Sequence, residues 1–144
     1  RAMRRLTLAC MAWLCCGHAP VAVACQVTST GVAFGAIDIT RASDSTGEIQ
    51  VACPVATSFS ITLLGNGTPG NRFMTGPSGG RLTYELYPDA TRTVPWGDGG
   101  SGQAVAGSND GNGSSRFTIY GRVPVQSGVP AGLYGDALSI VVTF

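Results

Sequence analysis

Three stretches of the chain place apolar residues at every second position, and no stretch sustains apolar residues at three- and four-residue spacing. Phe59, Ile61 and Leu63 alternate with Ser60, Thr62 and Leu64. Leu82, Tyr84 and Leu86 alternate with Thr83, Glu85 and Tyr87. Leu138, Ile140, Val142 and Phe144 alternate with Ser139, Val141 and Thr143. A period of two puts one row on each face of an extended chain, one apolar and the other mostly polar. Residues 26–34, 48–53 and 117–123 add further strand candidates. Between the runs lie Gly65-Asn66-Gly67, Pro69-Gly70-Asn71, Pro88-Asp89 and a Gly/Pro cluster over 128–132, which read as turns. Six or seven short strands separated this way predict an all-β, two-sheet sandwich without a significant helix. Residues 97–115, dominated by Gly, Ser, Asn and Asp, read as one long loop.

The first 24 residues are predicted to be a secretory signal peptide, leaving a single domain over 25–144. Met3-Arg4-Arg5 is basic, Leu6 through Cys16 is apolar, and Ala22-Val23-Ala24 places small residues where a signal peptidase reads. The apolar run is about half of the ~20 residues a membrane span needs, so no transmembrane anchor is expected. Removing Arg1, Arg4 and Arg5 leaves six of the nine basic residues, all arginine, against eight acids. A nucleic-acid partner would call for clustered positive charge, which this chain does not supply.

Cleavage also removes Cys10, Cys15 and Cys16, so that only Cys25 and Cys53 remain of five cysteines. Two cysteines in an exported chain favour one disulfide, because the compartment is oxidising. The rival reading makes Cys25 a lipidated N-terminus, but Ala22 is small for the position a lipobox keeps for a bulkier residue. That reading also leaves Cys53 without a partner.

Catalytic constellations are short of parts. The only histidine, His18, goes with the signal, and there is no lysine. A Ser–His–Asp triad, a Cys–His pair, a Schiff-base lysine and a histidine-containing zinc site therefore have no residues to use. Scattered acids such as Asp38 and Asp44 sit on Gly-rich loops and read as solvated turn residues. Asn109-Asp110-Gly111-Asn112-Gly113 and Gly97-Asp98-Gly99-Gly100 carry calcium-type oxygens, yet neither follows the EF-hand spacing. No enzyme activity, cofactor or metal is expected. Trp96, with Phe73 and Met74, is expected to cap one end of the core; the alternative is an exposed apolar tip.

Five strings, in order, resemble the spore coat protein U domain family, which includes subunits of archaic chaperone–usher pili. They are Cys25-Gln26-Val27 with Gly31-Val32-Ala33-Phe34-Gly35; Gly47-Glu48-Ile49-Gln50-Val51-Ala52-Cys53; Leu82 through Asp89 followed by Trp96-Gly97-Asp98-Gly99; Tyr120-Gly121-Arg122-Val123-Pro124; and Pro130-Ala131-Gly132-Leu133-Tyr134-Gly135-Asp136 leading into the last strand. The resemblance implies an incomplete immunoglobulin-like sandwich that lacks its last strand. It also implies a periplasmic chaperone, an outer-membrane usher and a neighbouring pilus subunit as partners, with a borrowed strand filling the gap. By the same analogy Leu138, Ile140, Val142 and Phe144 border the groove that the chaperone or donor strand enters.

One departure from the family pattern stands out. Polymerising subunits carry a donor stretch ahead of the first cysteine, whereas cleavage after Ala24 makes Cys25 the first mature residue. A terminal or tip-like subunit of an adhesive pilus, exported through the periplasm to the cell surface and supporting attachment and biofilm formation, is the leading expectation. The alternative is a self-contained extracellular coat or matrix protein of the same family.

Overall fold

A computed structural model describes residues 24–144. The expected signal peptide lies outside the described residues, save Ala24 at its boundary. Eight strands follow one another along the chain: β1 (Gln26–Thr30), β2 (Ser43–Ala52), β3 (Ala56–Leu64), β4 (Arg72–Thr75), β5 (Arg81–Tyr87), β6 (Val105–Asp110), β7 (Ser114–Val123) and β8 (Ser139–Thr143). They form a five-stranded sheet in the order β1-β2-β7-β5-β4 and a three-stranded sheet in the order β6-β3-β8. The ladders between these strands are antiparallel.

The inner face of each sheet is the apolar row of its strands. Ile49 and Val51 of β2, Leu82, Tyr84 and Leu86 of β5, and Ile119 and Val123 of β7 come from the larger sheet. Phe59, Ile61 and Leu63 of β3 face them from the smaller one, and all are buried. Burying such side chains contributes about 1.5–3 kcal/mol each, and the contacts between the two rows hold the layers together. The opposite parity of β2 and β7 carries charge outward, where Arg122 grips Asp44 with Nε and Nη2 at 2.7 and 2.8 Å, and Arg116 meets Glu48 at 3.0 Å. Hydrogen bonding to Arg122 holds the Asp44 carboxyl below its ordinary range. The smaller sheet is nearly neutral, Asp110 being the only charged residue in its strands.

Two stretches not expected to be strand are strand. Val105–Asp110, inside the predicted 97–115 loop, is β6 and pairs with β3 in the register Phe59↔Gly107 and Ile61↔Val105. Arg72–Thr75, lost among turn residues in the sequence, is β4 and pairs with β5. The expected first strand also ends sooner, at Thr30, and residues beyond it leave the sheet. Eight strands therefore replace the expected six or seven.

Cys25 and Cys53 are disulfide-bonded, with Cα atoms 4.2 Å apart, and join the start of β1 to the end of β2. Trp96 is 1 % exposed and donates its indole N–H to the Ile61 carbonyl at 3.0 Å, which places it in the core and not at an exposed tip. Phe73 and Met74 are only partly buried, and the Arg81 guanidinium lies 4.2 Å from the Phe73 ring centre.

Asn109, read from sequence as a turn or cation-binding residue, is buried. Its amide donates to the Val51 and Gly113 carbonyls and to the Ser115 hydroxyl, and its oxygen accepts from the Gly111 and Cys53 backbones. It fastens the β6–β7 hairpin to β2.

A buried ion pair closes the other end of the molecule. Arg72, 1 % exposed, donates Nε to Glu85 at 3.0 Å and Nη2 to the Leu63 and Trp96 carbonyls at 2.9 and 2.6 Å. The second Glu85 oxygen accepts from the Gly70 backbone at 2.5 Å. One arginine thus ties edge strand β4 of the larger sheet to β3 of the smaller sheet and to the Trp96 segment. Among the described residues, no helix is long and apolar enough to cross a membrane.

Candidate functional site: an open apolar groove

Three strands cannot cover the inner face of five. At a strand spacing of about 4.8 Å the smaller sheet is roughly 10 Å too narrow. Part of the remaining inner face is covered by two irregular segments. After β1 the chain leaves the sheet and lays Val32, Phe34, Ile37 and Ile39 toward the core. After β7 it crosses to the other layer, and Leu138 leads into β8. Between the two segments lies an open cleft of about 350 Å³, floored by Leu82, Tyr84 and Leu86 of β5.

Local packing fixes both walls. On the first, a side chain at Gly121 would place its Cβ 2.7 Å from Val32 and from Phe34, so the absence of one lets both residues rest on β7. The Phe34 ring meets Tyr84 edge-on at 6.5 Å, and Ser45 donates to the Ala33 carbonyl at 2.6 Å. On the second wall, Gly135 exchanges two backbone hydrogen bonds with Thr75, at 2.9 and 3.1 Å. The Tyr134 ring covers Gly76, and its hydroxyl donates to the Pro130 carbonyl at 2.6 Å. Leu133 at the rim is 93 % exposed.

Strand β8 borders the smaller sheet. It pairs with β3 in the register Ile61↔Val142 and Leu63↔Ile140, and stands last in its sheet. Of the four residues assigned to the groove from sequence, Leu138 lines the cleft. Ile140 and Val142 are half-buried against the core on the same row. Phe144 is 63 % exposed, its ring 6.1 Å from that of Phe59. The opposite wall, Val32, Phe34 and Ile37, was not singled out from sequence as groove-forming, although alternate spacing of Val32 and Phe34 was a usable signal.

The polar chemistry of the cleft is concentrated at Asp136. Its Oδ2 accepts from the Tyr84 hydroxyl at 2.5 Å and from the Asn66 backbone at 2.9 Å. Burial, followed by the neighbouring Asp136 carboxylate, pushes the Tyr84 phenol well above its ordinary value.

The sequence matches the Spore Coat Protein U domain over residues 14–141. The chain belongs to that family. Protein U of Myxococcus xanthus is 32% identical to it over 110 residues, which are 69% of this chain and 59% of that protein, so this spore coat U chain spans less than two thirds of that relative. Its fold is similar to that of a chain in the crystal structure of the CsuC–CsuE chaperone–tip adhesion subunit pre-assembly complex, from archaic chaperone-usher Csu pili of Acinetobacter baumannii. The TM-score is 0.62 at 22% identity, with 84% of this chain and 40% of that chain covered. The spore coat U domain is thus an all-β sandwich of a five-stranded and a three-stranded sheet, with an open cleft beside the segment that leads into β8.

Proposed function

We propose that this protein is a structural or adhesive pilus subunit that accepts an extended strand from a partner into the cleft between residues 32–37 and β8. The observation that carries this reading is the mismatch between the sheets. A five-stranded layer faces a three-stranded one, and the gap is an apolar groove beside an unpaired strand edge. Unpaired backbone N–H and C=O groups next to apolar surface are a template for strand addition. An incoming strand hydrogen-bonds to β8 and lays its apolar row over Leu82, Leu86 and Leu138. The similarity in fold to a pilus-complex chain supports the same reading.

In this scheme a periplasmic chaperone fills the groove first, an outer-membrane usher receives the complex, and a neighbouring subunit's strand replaces the chaperone. The assembled fibre stands on the cell surface and supports attachment and biofilm formation. With processing after Ala24 the subunit receives a strand and offers none, which fits a terminal or tip-like place.

The test is periplasmic export with and without the cognate chaperone, followed by mass spectrometry of the product without reductant. The protein is expected to be degraded or aggregated alone, and soluble as a one-to-one complex with the chaperone. A stable monomer in good yield without any partner overturns the reading and favours a self-contained coat protein. The same spectrum reads the mature N-terminus, and an extension ahead of Cys25 moves the subunit to the interior of a fibre.

A further inference from the structure

The side chains lining the cleft are apolar apart from two tyrosine hydroxyls and one charge. Asp136 is the only charged residue among those lining it. It stands two residues before Leu138, in phase with the half-buried row Leu138, Ile140 and Val142. A strand that pairs with β8 and covers that row therefore also covers Asp136 if it reaches one step further.

The hydrogen-bonding capacity of Asp136 is unevenly used. Oδ2 accepts from Tyr84 and Asn66, while Oδ1 has only the longer arm of the Asn66 contact, at 3.2 Å. A carboxylate offers about four acceptor sites. The two tyrosine hydroxyls lining the cleft donate elsewhere, Tyr84 to Oδ2 and Tyr134 to the Pro130 carbonyl. The guanidinium of Arg72 lies on the far side of Gly65. A Cβ there would meet Asp136 Oδ2 at 2.6 Å and Arg72 Nη1 at 3.3 Å, and Nη1 makes no hydrogen bond to either carboxylate oxygen. Oδ1 therefore keeps spare acceptor capacity on a residue that lines the groove. An all-apolar strand would strip its water and return nothing, which is costly for a charged acceptor.

Resting on the strand-acceptor reading above, we propose that the partner strand carries a hydrogen-bond-donating side chain, such as Ser, Thr, Asn or Lys, where it faces Asp136, with apolar residues at the other inward positions. Asp136 is then a specificity residue that fixes register. Because side chains alternate, sliding the strand by one residue turns the donor outward, and sliding it by two sets an apolar group against the carboxylate.

The experiment uses synthetic strand peptides with Val or Ile at every inward position, and a series in which each inward position in turn becomes Ser, Thr or Lys. Capture is measured on the protein as isolated from the periplasm, free or chaperone-bound. One position is expected at which the donor strengthens binding about tenfold, the scale of a hydrogen bond to a charged group. At the other inward positions it weakens binding. Asp136→Asn, which can still accept from Tyr84 and Asn66, is expected to cut the preference for Lys to below about threefold. Tyr84→Phe, which frees Oδ2, retains or sharpens it. If apolar peptides bind and the donor weakens binding at every position, the inference fails while the acceptor reading stands. If none of the peptides binds, the acceptor reading itself fails.

Discussion

Arg72→Met tests whether the two sheets are clasped by a buried charge. The substitution keeps an unbranched stem of similar reach and removes the guanidinium. Three hydrogen bonds go with it, to Glu85 at 3.0 Å, Leu63 at 2.9 Å and Trp96 at 2.6 Å. Glu85 is left with its side chain 11 % exposed and no cation beside it. Removing one partner of a buried pair costs about 3–5 kcal/mol, because the survivor stays desolvated. At about 4 °C per kcal/mol for a domain of this size, that is a fall of roughly 12–20 °C in melting temperature. Glu85→Gln should cost a similar amount, since it leaves the more deeply buried Arg72 cation without its counter-charge and one amide oxygen cannot replace both acceptors. The double variant Arg72→Met/Glu85→Gln should be more stable than the sum of the single losses predicts, by about 1–3 kcal/mol. Urea unfolding of the oxidised protein, with each variant measured in the same state of complexation, gives all three values. A loss below about 1 kcal/mol for Arg72→Met, or strict additivity in the double variant, would refute the clasp.

Two further outcomes follow from the disulfide and from the charged outer face. Replacing both Cys25 and Cys53 with serine should destabilise the fold by about 3–4 kcal/mol on the loop-entropy scale for a separation of 28 residues, read as a lower urea midpoint; an unchanged midpoint contradicts it. Hydrogen bonding to Arg122 holds the Asp44 carboxyl below its ordinary range, so its contribution is present above the unfolded value and is lost as the pH falls through the folded one. Melting temperatures between pH 6 and pH 3 should therefore fall less steeply in Asp44→Asn than in the parent, and parallel curves would remove Asp44 from the account.

Legibility in the sequence followed side-chain contrast. The strands with strong apolar alternation, β3 and β5, were visible because each inward position carries a large side chain and most outward ones do not. Strand β6 was hidden for the opposite reason. Its inward residues are Val105, Gly107 and Asn109, and Gly107 has no side chain because the Phe59 and Phe117 rings occupy that space. Its extended form comes from the ladder with β3 and from the bonds of the Asn109 amide, neither of which leaves a hydrophobic pattern. The end of β1 was misplaced because Val32 and Phe34 keep the alternation after the backbone has left the sheet. The Cys25–Cys53 pair is legible in the sequence on the expectation that residues 1–24 are removed. Arg72 was not, since a single arginine between turn residues gives no sign that it is buried. Asp136 stands in the sequence only as part of the Pro130–Asp136 string, and its meaning depends on Tyr84 and Asn66, both far away along the chain.

The neutrality of the smaller sheet has a consequence for the life of the molecule. Natural sheets discourage stray pairing with lysines, prolines or inward charges on their borders. Ser139–Thr143 has none of these, and its whole sheet carries a single acid at one far end. The border therefore carries no charge or proline to refuse a second copy or any other extended chain, and self-association would begin there.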